Sequence, residues 1–393
     1  MADFDKIFGN IDENEAVELT KAMVAIPSLT GNEGDGMLSF LRKWFKDLGI
    51  PMREYPCPGG RAHFFADFGE PCKGKNYVFN GHQDTKPVLG MTIDPYAGKI
   101  RDGKMYGRGA CDMKGGLAGI LCAFKALIRA GVKPQGLITF YSDIEEELAG
   151  PYSMTWIIEK GLLDMYDYLI SAEPSELEVH IGNRGSYVTA YETKGRSAHS
   201  GLAHLGVNAV INMCVFIEEF LKLPYLSMEN QYFGKPTVNF EKIEGGLYLS
   251  AVPDRCVACL DSRLIPETPP EVVKKQIDSL MDRLNSEQNI NVSETDPPKS
   301  WRPGRGYEEA HFIQPGHELV RLAADAVKTA TGKEAVISGC PAATIAGLMI
   351  TRGTPSIIIG PGSIAQAHTD DEWVEIGQIK KAAFIYAAMM AKM

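Results

Sequence analysis

Three short apolar runs in this chain each stop at side chains that an apolar interior rejects. Tyr77-Val78-Phe79-Asn80 leads into Gly81-His82-Gln83-Asp84-Thr85, Gly136–Tyr141 precedes Glu145-Glu146-Glu147, and Tyr168–Ala172 ends on Glu173-Pro174. Short apolar runs bounded in this way read as buried strands. Between the first two, residues 115–130 form a glycine- and alanine-rich pattern with helical spacing. Strands alternating with helices predict an α/β fold, a mostly parallel sheet covered on both faces, with its ligand site at the C-terminal ends of the strands. The imidazoles and acids fall at those ends.

A chain of 393 residues exceeds what one hydrophobic core usually organises, so two domains are expected. Residues 13–27 and 33–48 have helical spacing, and so do 317–331 and 378–390, with a buried strand at 355–359. After Glu173 the texture changes. Residues 178–192 and 236–261 alternate in strand fashion, while 207–221 and 270–284 are helical, which predicts a separate α+β insertion. Residues 291–306, rich in Pro, Lys and Arg, read as the linker returning from it.

Composition narrows the function classes. A net charge of -10 and a pI near 5.4 argue against a nucleic-acid surface. No apolar run is long enough to span a bilayer. The opening MADFDKIFGNIDENE has acids where a secretory signal carries a basic and then an apolar segment. Eight cysteines without a small-domain disulfide spacing fit a reducing compartment, so the cytoplasm is expected. Cys256 and Cys259 form a CxxC, but inside a segment that reads as a strand and with no second ligand pair at finger-like spacing.

Each polar end can carry metal chemistry. Residues two apart on an extended segment point the same way, so His82 can bind a cation while Asp84 accepts its other ring N–H. Asp112, in Gly107-Arg108-Gly109-Ala110-Cys111-Asp112-Met113-Lys114-Gly115-Gly116, sits in a glycine-rich turn where a carboxylate could bridge two ions. An N-cap role suits it as well. Three adjacent acids at 145–147 repel one another unless cations or solvent relieve them; one can ligate while its neighbour takes a proton from water. Pro174 holds Glu173 away from helical geometry. His368 follows the loop Gly360-Pro361-Gly362-Ser363. Two imidazoles and several carboxylates placed like this are what a pair of divalent ions requires, and a hydrolase with a dinuclear site is expected.

The motifs GHQD, GRGACDMKGG, EEE, SAEP and AHTDDEW together resemble the dinuclear zinc amidohydrolase and peptidase family that contains acetylornithine deacetylase, succinyl-diaminopimelate desuccinylase, aminoacylase and bacterial glutamate carboxypeptidase. The likeness runs from Ile26-Pro27-Ser28 to the C-terminus. It implies a catalytic domain at 1–182 and 297–393, interrupted at 183–296 by a smaller lid that also forms a homodimer. It further implies two divalent ions, zinc or else cobalt or manganese. His82, Asp112 and Glu173 would hold one, and Asp112, Glu147 and His368 the other. Asp84 would be the partner of His82, and Glu146 the general base. A second register, with Glu145 and Glu146 as base and ligand, stays open; Glu146 and Glu147 are taken because Gly136 then stands at the family's usual distance and Glu145 fills its common aspartate.

In the lid, Gly195-Arg196-Ser197-Ala198-His199-Ser200-Gly201 resembles the segment whose histidine stabilises the developing oxyanion, which gives that role to His199. Arg263 matches a position that can grip a substrate carboxylate, and a strand-edge salt bridge is the plainer reading of it. The chain departs from many relatives at Ser250-Ala251-Val252-Pro253, where they carry asparagine, and at Gly339-Cys340-Pro341-Ala342, where they carry an aspartate. The resemblance implies hydrolysis of the amide bond of an N-acyl amino acid. The alternatives are a carboxypeptidase or dipeptidase with the same centre, and a binding protein that keeps the fold without catalysis.

Overall fold

The computed structural model describes residues 3–71, 74–148, 150–301 and 305–393. The chain divides into two compact units. The first takes in the stretch to Gly182 together with Phe312–Cys340 and Thr344–Met393; the second is Asn183–His311 with Pro341–Ala343.

The first unit is built on a nine-stranded sheet. Its labelled strands are β1 (Met52–Cys57), β2 (Arg61–Gly69), β3 (Asn76–His82), β4 (Leu137–Asp143), β5 (Tyr168–Ser171) and β6 (Ser356–Ile358), lying in the order β1-β2-β4-β3-β5-β6. The parallel character expected of the sheet belongs to its centre: β4, β3, β5 and β6 run parallel. β1 and β2 join it antiparallel. The local sequence explains both. A tight turn around Gly59 and Gly60 folds β1 back on β2, whereas β3 and β4 are linked by helix α1 (Gly115–Ala130), a crossover that keeps strands parallel. Neither β1 nor β2 stood out in the sequence.

Helix α1 is apolar nearly all round because it is covered on every side, packing against α2 (Ile376–Met390). It ends at Gly131, whose φ of 70° makes the left-handed C-cap. Two glycines bring the layers together under the strand ends. A Cβ on Gly116 would lie 2.3 Å from the carbonyl oxygen of Ala172, and one on Gly360 would lie 2.2 Å from the same atom. The expected N-terminal helices are present as Glu13–Val24, capped by the Asp12 carboxylate, and Gly36–Asp47.

The second unit is α+β. Its five-stranded sheet runs Thr237–Gly245, Arg255–Leu264, Gly185–Lys194, Asn291–Thr295, with Gly306–Glu308 also pairing with Gly185–Lys194. Helices Ala209–Phe220 and Pro270–Glu287 close a core of Tyr191, Phe216, Phe220, Tyr225, Leu260 and Ile277. Cys256 and Cys259 lie buried within Arg255–Leu264, as the strand reading of that segment expected. The chain leaves this unit after His311 rather than near 297. The segment expected to be a linker supplies Gly306–Glu308, whose pairing with Ser186–Val188 holds it on the second sheet.

Candidate metal centre

The C-terminal ends of the parallel strands gather the acids and imidazoles. His82 is the last residue of β3, Glu145–Glu147 follow β4, Glu173 follows β5 and His368 lies in the loop beyond β6. Asp112 arrives from the turn before α1, with φ -119° and ψ 91°. It caps no helix; α1 has no side-chain cap.

Asp112 stands between the two imidazoles. Its Oδ1 is 2.9 Å from His82 Nε2, and its Oδ2 is 3.3 Å from His368 Nε2. Glu173 Oε1 lies 3.7 Å from His82 Nε2, and Glu147 Oε2 accepts from His368 Nε2 at 2.8 Å. The donor atoms of His82, Asp112 and Glu147 all fall within 4.8 Å of one another, as do those of His82, Glu146 and Glu173. These two groups mix members of the two expected ligand sets and share His82, while His368 reaches the cluster through Asp112 and Glu147.

The electrostatics favour cations. Burial, then Asp112, push Glu173 well above the usual carboxylate range. Burial and the neighbouring carboxylates push Glu146 up to about 8 against the pull of His82. Burial opposes charge on His82, yet Glu173 and Asp112 hold it well above its ordinary value. Hydrogen bonds to Asp112 and Glu147 raise His368 to about 9. Carboxylates crowded and buried in this way hold positive charge close, and a set of nitrogen and carboxylate donors suits zinc as well as neighbouring metals. The residues fit a pair of such ions.

The acid triplet is divided in two. Glu145, in left-handed backbone with φ 56°, turns its carboxylate away from the cluster to Arg61, and its Oε2 accepts from Tyr152 N at 2.8 Å. Arg61 also binds Glu33, whose Oε1 accepts from Glu145 N at 3.1 Å. Glu146 and Glu147 face the cluster. The structure thus differs from the second register, which would give Glu145 a role at the centre.

Asp84 supports His82 differently from the expected arrangement. His82 Nδ1 donates to the main-chain carbonyl of Asp84 at 2.9 Å, while the Asp84 carboxylate stays 3.7 Å away. The carboxylate is drawn instead to three other donors: Thr30 Oγ1 at 2.8 Å, Glu146 N at 3.3 Å and Glu147 N at 3.2 Å. One residue fixes the imidazole by its backbone and the acid triplet by its side chain. Burial raises this carboxyl to about 7.

Two supporting groups escaped the sequence reading. Glu372 accepts from Cys111 N at 2.9 Å and Asp112 N at 3.1 Å, and its other oxygen binds Arg108 at 2.8 Å, all buried. Lys86 Nζ donates to the carbonyl of Glu147 and lies 3.4 Å from Glu147 Oε2. The acid of Glu372 lay within the AHTDDEW motif and the lysine two residues beyond Asp84, but neither position had a local pattern pointing to its partner.

His199 and Arg263 belong to the second unit. His199 is exposed before the turn Ser200–Leu205, and its Nδ1 accepts from Gly201 N at 3.1 Å. In the neutral ring that bond leaves the proton on Nε2, an outward donor. Arg263 gives its fork to Asp261, Nε to Oδ1 at 2.9 Å and Nη2 to Oδ2 at 3.0 Å; this is a salt bridge, but on an interior strand of the second sheet rather than at its edge.

Comparison with known proteins places the fold. Solved structures with the same fold include the aminopeptidase PepT of Bacillus cereus (20% identity over 98% of this chain and 99% of that one, TM-score 0.78) and human carnosine dipeptidase 1 (19% over 100% of both, TM-score 0.73). Another is the YXEP protein of Bacillus subtilis, described as a dinuclear metal-binding peptidase (13% over 97% and 98%, TM-score 0.70). At these identities the likeness is one of fold. The family model for peptidase family M20/M25/M40 matches residues 78–392, from β3 through α2. The chain belongs to peptidase family M20/M25/M40 and is a dinuclear metal-dependent hydrolase.

Proposed function

We propose that this chain hydrolyses the amide bond of an N-acyl amino acid, with zinc as the metal, His82, Asp112 and Glu173 holding one ion and Asp112, Glu147 and His368 the other. The observation that carries the reading is the Asp112 carboxylate, one oxygen toward each imidazole, with Glu146 beside it. When bound, the two ions would polarise the scissile carbonyl and acidify water. Glu146 accepts the proton of the attacking water on a carboxylate oxygen and delivers it to the leaving nitrogen as the C–O bond forms and the C–N bond breaks. A carboxyl that burial has raised toward neutrality can both take and return a proton, although bound cations would lower it again. His199 donates its Nε2–H to the oxyanion, a role supported by the bond that Gly201 makes to Nδ1. Arg263 would have to release Asp261 to grip a substrate carboxylate.

A second reading, cleavage of a dipeptide or other short peptide, is favoured by the fold shared with an aminopeptidase and a dipeptidase. Turnover of N-acetyl and N-succinyl amino acids against a dipeptide panel, with zinc, cobalt or manganese supplied in turn, separates the two. Faster dipeptide cleavage with every metal would replace the first reading by the second. Glu146→Gln is expected to retain two ions and lose nearly all turnover; ordinary rates in that variant would remove the proton-transfer role.

The expected homodimer through the second unit is part of the proposal. Thr237–Gly245 is an exposed edge strand, and beyond it Leu247 and Leu249 are 80% and 98% exposed, surface that a second copy would cover. Light scattering giving a single-chain mass at micromolar concentration would reject it. A cytoplasmic location, expected from cysteine spacing, belongs to the same proposal. No helix among the described residues is long and apolar enough to cross a membrane.

A further inference from the structure

We infer that Lys86 makes the two ion positions unequal by competing with the cation for Glu147, so that the Glu147/His368 half fills second and more weakly. The inference rests on the two-ion reading above. It concerns a residue that the cluster does not need as a ligand.

Lys86 is held at the centre by the same segment that carries His82 and Asp84. Thr85 N donates to Ser28 O at 2.9 Å and Thr30 N to Thr85 O at 3.1 Å, so the backbone on its N-terminal side is fixed. Its ammonium donates to the Glu147 carbonyl and sits 3.4 Å from Oε2, the oxygen that also accepts from His368. A cation bound by Glu147 and His368 would have to share that oxygen with a fixed positive charge.

Among the described residues, no lysine or arginine pairs with His82 or Glu173 in the other half. His82 meets both Asp112 and Glu173, and its second nitrogen meets a backbone carbonyl. Charge on the two halves is therefore different although the donor types match. One half offers Glu173 and a share of Asp112; the other offers Glu147, whose Oε2 lies 3.4 Å from the Lys86 ammonium, and the same share. A lysine side chain only 24% exposed loses part of its hydration at this position, and its attraction for Glu147 is correspondingly stronger than at an open surface. Entry of the second ion must loosen that contact and bring a dication near the ammonium.

The experiment is titration of the full-length, metal-free protein with zinc under a competing chelator, for the natural chain, Lys86→Met and Lys86→Arg. The natural chain is expected to take up two ions in separate steps. Lys86→Met should tighten the weaker step by roughly tenfold or more, as the repulsion between a unit charge and a dication about 5 Å apart predicts in water-like surroundings. It should leave the tighter step nearly unchanged. Lys86→Arg, which keeps the charge, should retain the natural separation between the steps. Two ions with the weaker step unmoved or weakened in Lys86→Met would overturn the inference and leave the dinuclear reading intact. Fewer than two ions at saturation in the natural chain would overturn both. Circular dichroism of the variants, expected to match the natural chain, guards against a loss of fold being read as a change in affinity.

Discussion

The two halves of the cluster contain an imidazole, a private carboxylate and a share of Asp112 each, yet they sit in unlike surroundings. The side chains of His82 and Glu173 are 1% and 8% exposed, and His82 is tied by its second nitrogen to backbone. His368 is 47% exposed on a loop, and its partner Glu147 is buried against Lys86. The difference teaches that a donor set specifies which ions can bind, while burial and neighbouring charge decide how firmly each is held.

The comparison breaks most severely at the residue common to both sides. Asp112→Asn removes the charge that links them, and both ions and all measurable turnover are expected to be lost; metal analysis finding two ions per chain would mean that Asp112 does not join the halves. His368→Ala touches one side only. That protein should keep a single ion, and full two-ion stoichiometry would reject His368 as a ligand.

A smaller effect is expected from Asp84→Asn, which weakens the hold on the backbone of Glu146 and Glu147 while leaving the carbonyl that orients His82. Metal affinity should fall about 10–100-fold, the usual cost of losing a partner behind the ligands. Because the altered bonds serve Glu147, the loss should appear in the His368 half; an equal loss on both sides would contradict the division of labour assigned to Asp84. The mildest test is pH. His368 is raised from 6.5 to about 9, so in the metal-free protein its proton stabilises the fold fully below pH 6.5, and this contribution disappears as pH climbs through 9. Metal binding requires the neutral ring, so affinity in the exposed half should rise over that same interval. A flat profile for the weaker ion would show that His368 is not the group titrating there.

The first-rank groups were legible because each stands where a short apolar run ends. The strand pattern marked His82, the acid triplet and Glu173 as candidates, whereas the choice of Glu147 within the triplet and of a ligand over an N-cap for Asp112 came from the family resemblance. The groups that aim them were hidden by distance along the chain. Arg61 meets Glu145 across 84 residues and Arg108 meets Glu372 across 264, and no local periodicity encodes such pairings. Asp84 illustrates a different difficulty. Its spacing from His82 correctly marked it as a neighbour, but whether a carbonyl or a carboxylate oxygen meets the ring depends on a backbone turn that residue types alone do not specify. In the second unit the strand and helix periods were plain, while the late return at His311 depended on Gly306–Glu308 pairing with a strand begun more than a hundred residues earlier.

Gly116 and Gly360 press on the carbonyl of Ala172 from two sides, and neither could bear a methyl group without moving main chain. The floor beneath the ions is consequently closed to variation. Anyone redesigning this hydrolase toward a new substrate would have to vary residues away from those two glycines, whose replacement would shift main chain at the end of the central strands and so disturb turnover of every substrate alike.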